Sequence, residues 1–167
     1  MQGIEVAIIS TIVASVSVVV AAILAVLQLK QRNDTRQAQL FMELYNEFYN
    51  PSFHRRWMEL VYVYQQSDLL DSEGMPTFLT GDLDKYIEAS ALSSYFEGIG
   101  LLVKKGLIDI NLVAELMSTP LFFVWEKVAD LVMKVRELLG RPQIYEWFEY
   151  LYHEIQKIPS RQNQSSG

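Results

Sequence analysis

From Ile4 to Leu29 the chain carries one acid, Glu5, and no base. About 18 apolar, uncharged residues are enough to suggest a membrane span. This run of about 26 residues would reach ~39 Å as a helix. That covers the ~30 Å hydrocarbon core with room for tilt. No later window does the same. Leu101 to Ile110 is broken by Lys104, Lys105 and Gly106, and Leu121 to Leu139 holds Glu126, Lys127, Asp130, Lys134, Arg136 and Glu137. A cleaved signal peptide needs a basic start and a short apolar core. Here no Lys or Arg precedes Lys30, and the run is too long. A buried soluble helix fits no better, because the run offers water no polar face. The chain reads as one span followed by a domain large enough to bury a core.

The flanks set the expected orientation. Lys30, Arg32 and Arg36 follow the span and Glu5 precedes it. The positive-inside rule then predicts a single-pass cell-membrane protein with its N-terminus outside and its C-terminal domain in the cytoplasm. The absence of cysteine agrees with a reducing compartment. Net charge is −6, and Lys30 and Arg32 balance Glu5 and Asp34 in the first 35 residues. The deficit therefore belongs to the domain, which argues against nucleic acid as a partner. Membrane lipid, further copies of the chain and ions are the expected partners.

Punctuation by Pro, Gly and polar clusters divides the chain into an anchor with a basic collar (1–32), a helical domain (33–158) and a disordered tail (159–167). From Ile4 to Asn50 there is neither Pro nor Gly. The span can continue into a long helix that keeps Leu40, Phe41, Leu44, Tyr45 and Phe48 at helical spacing, or it can kink where Asn33, Asp34 and Thr35 would cap a new helix. Pro51 opens the next helix, expected over 52–64, and 67–81 reads as a loop. Asp82 is expected to cap a helix that runs to Lys105 and ends at Gly106. Short and long helices are expected over 109–117 and 119–140, the second opened by Thr119 and Pro120, and a last helix over 141–158. No strand pattern occurs, so the predicted class is all-α: one transmembrane helix and a helical bundle.

On a helical wheel Ser10, Ala14, Ser17, Ala21 and Gln28 form one narrow stripe of the span. Ile8, Ile12, Val16, Val19, Val20, Ile23 and Leu27 lie opposite. Small residues let helices approach closely in lipid, so the stripe is a candidate helix-association face or, with its hydroxyls turned to a lumen, a pore lining. Glu5 would then ring the outer mouth and Gln28 the inner one. In the domain Ser90, Ser94 and Gly98 recur every four residues, which suits a subunit contact or a tight core crossing. Trp147 and Tyr150 fall off the Ile144–Phe148–Leu151–Ile155 stripe and are candidates for a partner surface.

Motifs for chemistry are missing. His54 and His153 are the only histidines, no HExxH occurs, and the acids at 68–84 do not follow a calcium-loop pattern. No metal site, cofactor or catalytic residue is expected, and an enzyme would need a scattered set such as His54, Arg55 and Glu97.

The order of features resembles a known family. An N-terminal span is followed by "YNEFYNPSFHRRW", then "SYFEGIGLLVKKGLIDINLV", then "VWEKVADLV" and "IYEWFEYL". In this it is similar to a group of prokaryotic single-span membrane proteins with a C-terminal cytoplasmic helical domain and no assigned function. The resemblance implies no catalytic residues. The expected function is a homo-oligomeric pore or ion channel built from the N-terminal helices, with a membrane-anchored adaptor for a cytoplasmic partner as the alternative.

Overall fold

The structure is a computed structural model that describes residues 2–81 and 83–158, with side chains from Val20 onward. It is all-α, as expected: α1 (Gln2–Phe48), α2 (Pro51–Met58), α3 (Leu83–Lys104), α4 (Ile110–Leu139) and α5 (Glu146–Gln156). The only β pairing among the described residues is an isolated bridge between Leu70 and Pro76. Among the described residues no helix is long and apolar enough to cross a membrane. Most of the expected span, residues 4–19, lies outside those whose side chains are described, as do the expected cap Asp82 and the tail from 159.

The chain forms two compact units, Met1–Gln39 and Leu40–Gly167. In the first unit α1 passes through Asn33–Thr35 without interruption. The Thr35 hydroxyl donates back to the Gln31 carbonyl at 2.9 Å, a bond made inside a continuing helix rather than at a cap.

The second unit begins with the last turns of α1. Asn50 caps α2, its side chain accepting the Ser52 N–H at 3.1 Å, and Pro51 takes the first helical position, where its missing N–H costs nothing. The expected 52–64 helix changes character after Met58. Glu59–Val63 is a π-helical turn, closed by the Tyr64 N–H on the Glu59 carbonyl at 3.0 Å. The 64–81 connection is loop with two single 3-10 turns. Asp71 holds it by accepting the N–H groups of Glu73 and Met75, both at 2.9 Å.

Two expected boundaries are corrected. The helices expected at 109–117 and 119–140 are one helix, α4, with Pro120 inside it. An interior proline costs about 3 kcal/mol. Here Val113, Met117, Pro120, Leu121 and Val124 all lie on one buried face, and the Trp57 indole N–H donates to the Pro120 carbonyl at 3.4 Å. Burial of that face outweighs the local preference to break. The last helix starts at Glu146 rather than 141, because Gly140 and Tyr145 both adopt left-handed backbone, at φ 61° and 54°. Arg136 clips the turn between them. Its Nε donates to the Ile144 carbonyl at 2.8 Å and its guanidinium to Glu149 at 2.7 Å.

The core is aromatic. Phe48 is fully buried and touches the rings of Phe53, His54, Trp57, Tyr95 and Phe96. Phe96 stacks on Phe148 at 5.1 Å, and Trp125 meets Phe148 edge-on. The Tyr95 hydroxyl donates to the Leu44 carbonyl, tying the end of α1 to α3.

Candidate functional site

Two helix surfaces carry the candidate residues. In the first unit α1 is exposed on all sides from Val20 to Arg36. Ala21 and Gln28 lie open on this surface. Gln28, Gln31, Arg32, Thr35, Arg36 and Gln39 form one exposed strip of polar residues on the side of the helix that Ala21 shares at helical spacing. Glu5, Ser10, Ala14 and Ser17 lie outside the residues whose side chains are described.

The second surface is on α3. Its inner face buries Ala89, Leu92, Ser93, Phe96, Ile99 and Gly100. At Gly100 the backbone of α5 lies hard against α3. A Cβ there would lie 2.0 Å from the Trp147 carbonyl oxygen and 2.6 Å from its carbon, so only glycine fits. The expected Ser90–Ser94–Gly98 set divides. Ser90 is engaged internally, its hydroxyl 3.0 Å from that of Tyr145. Ser94 and Gly98 are exposed on the opposite face, and an added Cβ at Gly98 meets nothing within 4 Å. Trp147 and Tyr150 are half-buried. Their rings meet edge-on at 6.2 Å, and the Lys104 ammonium lies 4.7 Å above the Tyr150 ring.

Reading the sequence missed the neighbours of Ser94 on that outer face, Leu83, Ile87 and Leu101, all exposed. Their spacing to Ser94 at seven and eleven residues was the available signal. It also missed which glycine serves the core, since "EGIG" looks the same from either side of the helix.

The scattered residues of the enzyme alternative have separate settings. His54 stacks between Tyr49 at 5.2 Å and Trp57 at 5.1 Å, and its buried Nδ1 has no hydrogen-bond partner among the described residues. Arg55 is exposed. Glu97 accepts the Phe148 N–H at 2.7 Å and so caps α5, whose own N-cap residue, Tyr145, makes no side-chain bond to the start of the helix. Among the described residues no group of His, Cys, Asp or Glu is arranged to hold a metal ion.

Burial pushes the Glu97 carboxyl above the ordinary glutamate value, and the hydrogen bonds from Phe148 and Trp147 offset only part of this. The folded state therefore holds this proton more tightly than the unfolded chain. Glu97's contribution to stability falls as pH rises from the ordinary glutamate value through the raised one. Glu97→Gln keeps an oxygen for the Phe148 N–H and has no charge to desolvate. Thermal unfolding across roughly pH 4 to 7 should show the original chain losing stability relative to the Gln variant as pH rises. Parallel profiles would contradict this reading. Glu97→Ala loses the cap itself, at a cost of about 2 kcal/mol.

A family model described as a domain of unknown function (DUF4760) matches residues 15–155. The match spans most of the sequence, and the chain belongs to that family. No curated protein and no solved structure matches it.

Proposed function

We propose that this DUF4760 protein is a single-pass, N-out membrane protein whose copies associate through α1 to form a small pore or ion channel, with the helical domain on the cytoplasmic side. The observation that carries the reading is the exposure of Val20, Ile23, Leu24, Val26, Leu27 and Leu29, between 49 % and 65 %. These side chains cover most of the circumference of α1. A helix apolar nearly all round needs a nonaqueous surrounding. Ala21, Ala25 and Gln28 occupy the remaining arc, and the strip of polar residues from Gln28 to Gln39 continues it. Lipid against the large side chains and other copies of α1 against the small stripe satisfy both surfaces. The hydroxyls and amides of the stripe would then face the lumen, with Arg32 and Arg36 at its cytoplasmic mouth and Lys30 toward the headgroups.

The test is the mass of the full-length protein in mild detergent, corrected for bound detergent, followed by bilayer recording. Four or more copies and a conductance abolished by Ser17→Leu or Gln28→Leu are expected. A monomer or dimer would overturn the pore, since two helices enclose no lumen. One observation favours the adaptor instead: exposed Tyr62, in the π-helical turn, meets exposed Phe123 at 6.4 Å, with Met58 also exposed. Aromatic anchors of this kind suit a protein partner, and on that reading Ser17→Leu would leave recruitment intact.

A further inference from the structure

We propose that the outer face of α3 binds the same face of a second copy, antiparallel and about a two-fold axis near Ser94. The first observation is the contrast between two glycines. Glycine is disfavoured inside a helix relative to alanine. At Gly100 the reason lies within the chain, in the Trp147 backbone, whereas at Gly98 the space beyond is open. A glycine kept on an open helix face fits close approach by a backbone from outside the chain.

The second observation is what surrounds Gly98. Leu83, Ile87, Ser94, Gly98, Leu101 and Lys105 lie within one narrow arc, directly opposite the buried face, and all are exposed. This is the side of a surface helix where charged residues are ordinarily found. The nearby charges are turned elsewhere. Lys85 pairs with Asp68 at 2.8 Å, Glu88 accepts from the Tyr64 hydroxyl, Glu97 caps α5, and Lys104 covers Tyr150. The charges left near the two ends of the face are acidic Asp84, on its rim about 80° round the helix from Ser94, and basic Lys105, one residue past the end of α3.

The third observation is their placement, which selects both occupant and direction. Asp84 lies ten residues before Ser94 and Lys105 eleven after it, about 15 Å to either side. Ile87 and Leu101 lie seven residues before and after. In an antiparallel pair centred on Ser94, Asp84 of each copy comes level with Lys105 of the other, and Ile87 with Leu101. A parallel pair would set Asp84 against Asp84 and Lys105 against Lys105, and would align the helix dipoles unfavourably. The face is thus complementary to itself in one direction only, as an isologous contact requires. Pairing of this kind makes the copy number even. Only that last point rests on the oligomer proposed above; the pairing itself does not.

The chain has no cysteine, so introduced thiols report on this contact alone. Ser94→Cys in the full-length protein in mild detergent, treated with a mild oxidant, is expected to run mostly as a covalent dimer. Ile87→Cys or Leu101→Cys alone should give at least tenfold less, because in the antiparallel pair each lies about 21 Å from its own copy. Mixing those two variants should restore the dimer. Gly98→Leu added to Ser94→Cys should reduce the dimer at least tenfold with helical circular dichroism unchanged, since the space at Gly98 is open within the chain. A Ser94→Cys protein that stays monomeric under oxidant, or Ile87→Cys alone linking as well as Ser94→Cys, overturns the proposal. These readouts do not depend on conductance, so a failed pore and a failed pairing give different results.

Discussion

Gly100→Ala is expected to lower the melting temperature of the protein by about 10 °C, whereas Gly98→Ala, two residues away, moves it by no more than about 3 °C. Helix propensity alone predicts a gain at both sites. At Gly100 the added methyl would lie 2.0 Å from the Trp147 carbonyl oxygen. The obstacle is backbone, which cannot rotate aside as a side chain can. Either α5 moves off α3, carrying Phe148 away from Phe96, or the close contact is kept under strain. Overpacking of this kind costs about 3 kcal/mol. Gly98 has no neighbour to meet. Thermal unfolding followed by circular dichroism separates the two, and a Gly100→Ala protein as stable as the original would mean that α3 and α5 are not in such close contact.

Phe48→Ala is expected to cost about 4 kcal/mol, a large share of the 5–15 kcal/mol that holds a typical domain folded. Phe48 is fully buried, and its ring touches six other rings: Tyr49 between α1 and α2, three on α2 and two on α3. Its removal leaves a cavity that those rings cannot close together, because each is fixed by a second contact. Phe53, which is only half-buried, should lose less than half as much on the same change. Urea unfolding monitored through Trp57, whose indole lies 6.0 Å from the Phe48 ring, reads both variants. Equal losses at the two positions would place the centre of the core elsewhere.

Much of the fold was legible in the sequence, where local chemistry and tertiary packing agree. The apolar runs have helical period and no strand alternation, so the helical class follows from residue spacing. Asn50 with Pro51, Gly106 and Gly140 marked helix ends correctly, because caps and left-handed backbone act within one turn. The candidate faces were only half legible. The four-residue spacing put Ser90, Ser94 and Gly98 together, yet Ser90 bonds to Tyr145, 55 residues away, and the core contact falls on Gly100.

By itself the sequence determined the helical class, the apolar run from Ile4 to Leu29 and most of the helix ends. All of these arise from interactions within a few residues. Only the tertiary structure decided that Pro120 stays inside α4, that Tyr145 takes left-handed backbone, and that Glu97 caps α5 through the N–H of Phe148, 51 residues further on. It alone separated the glycine that meets α5 from the glycine that faces outward. Each of these depends on which face a neighbouring helix covers, and that is set by packing between segments distant in the chain.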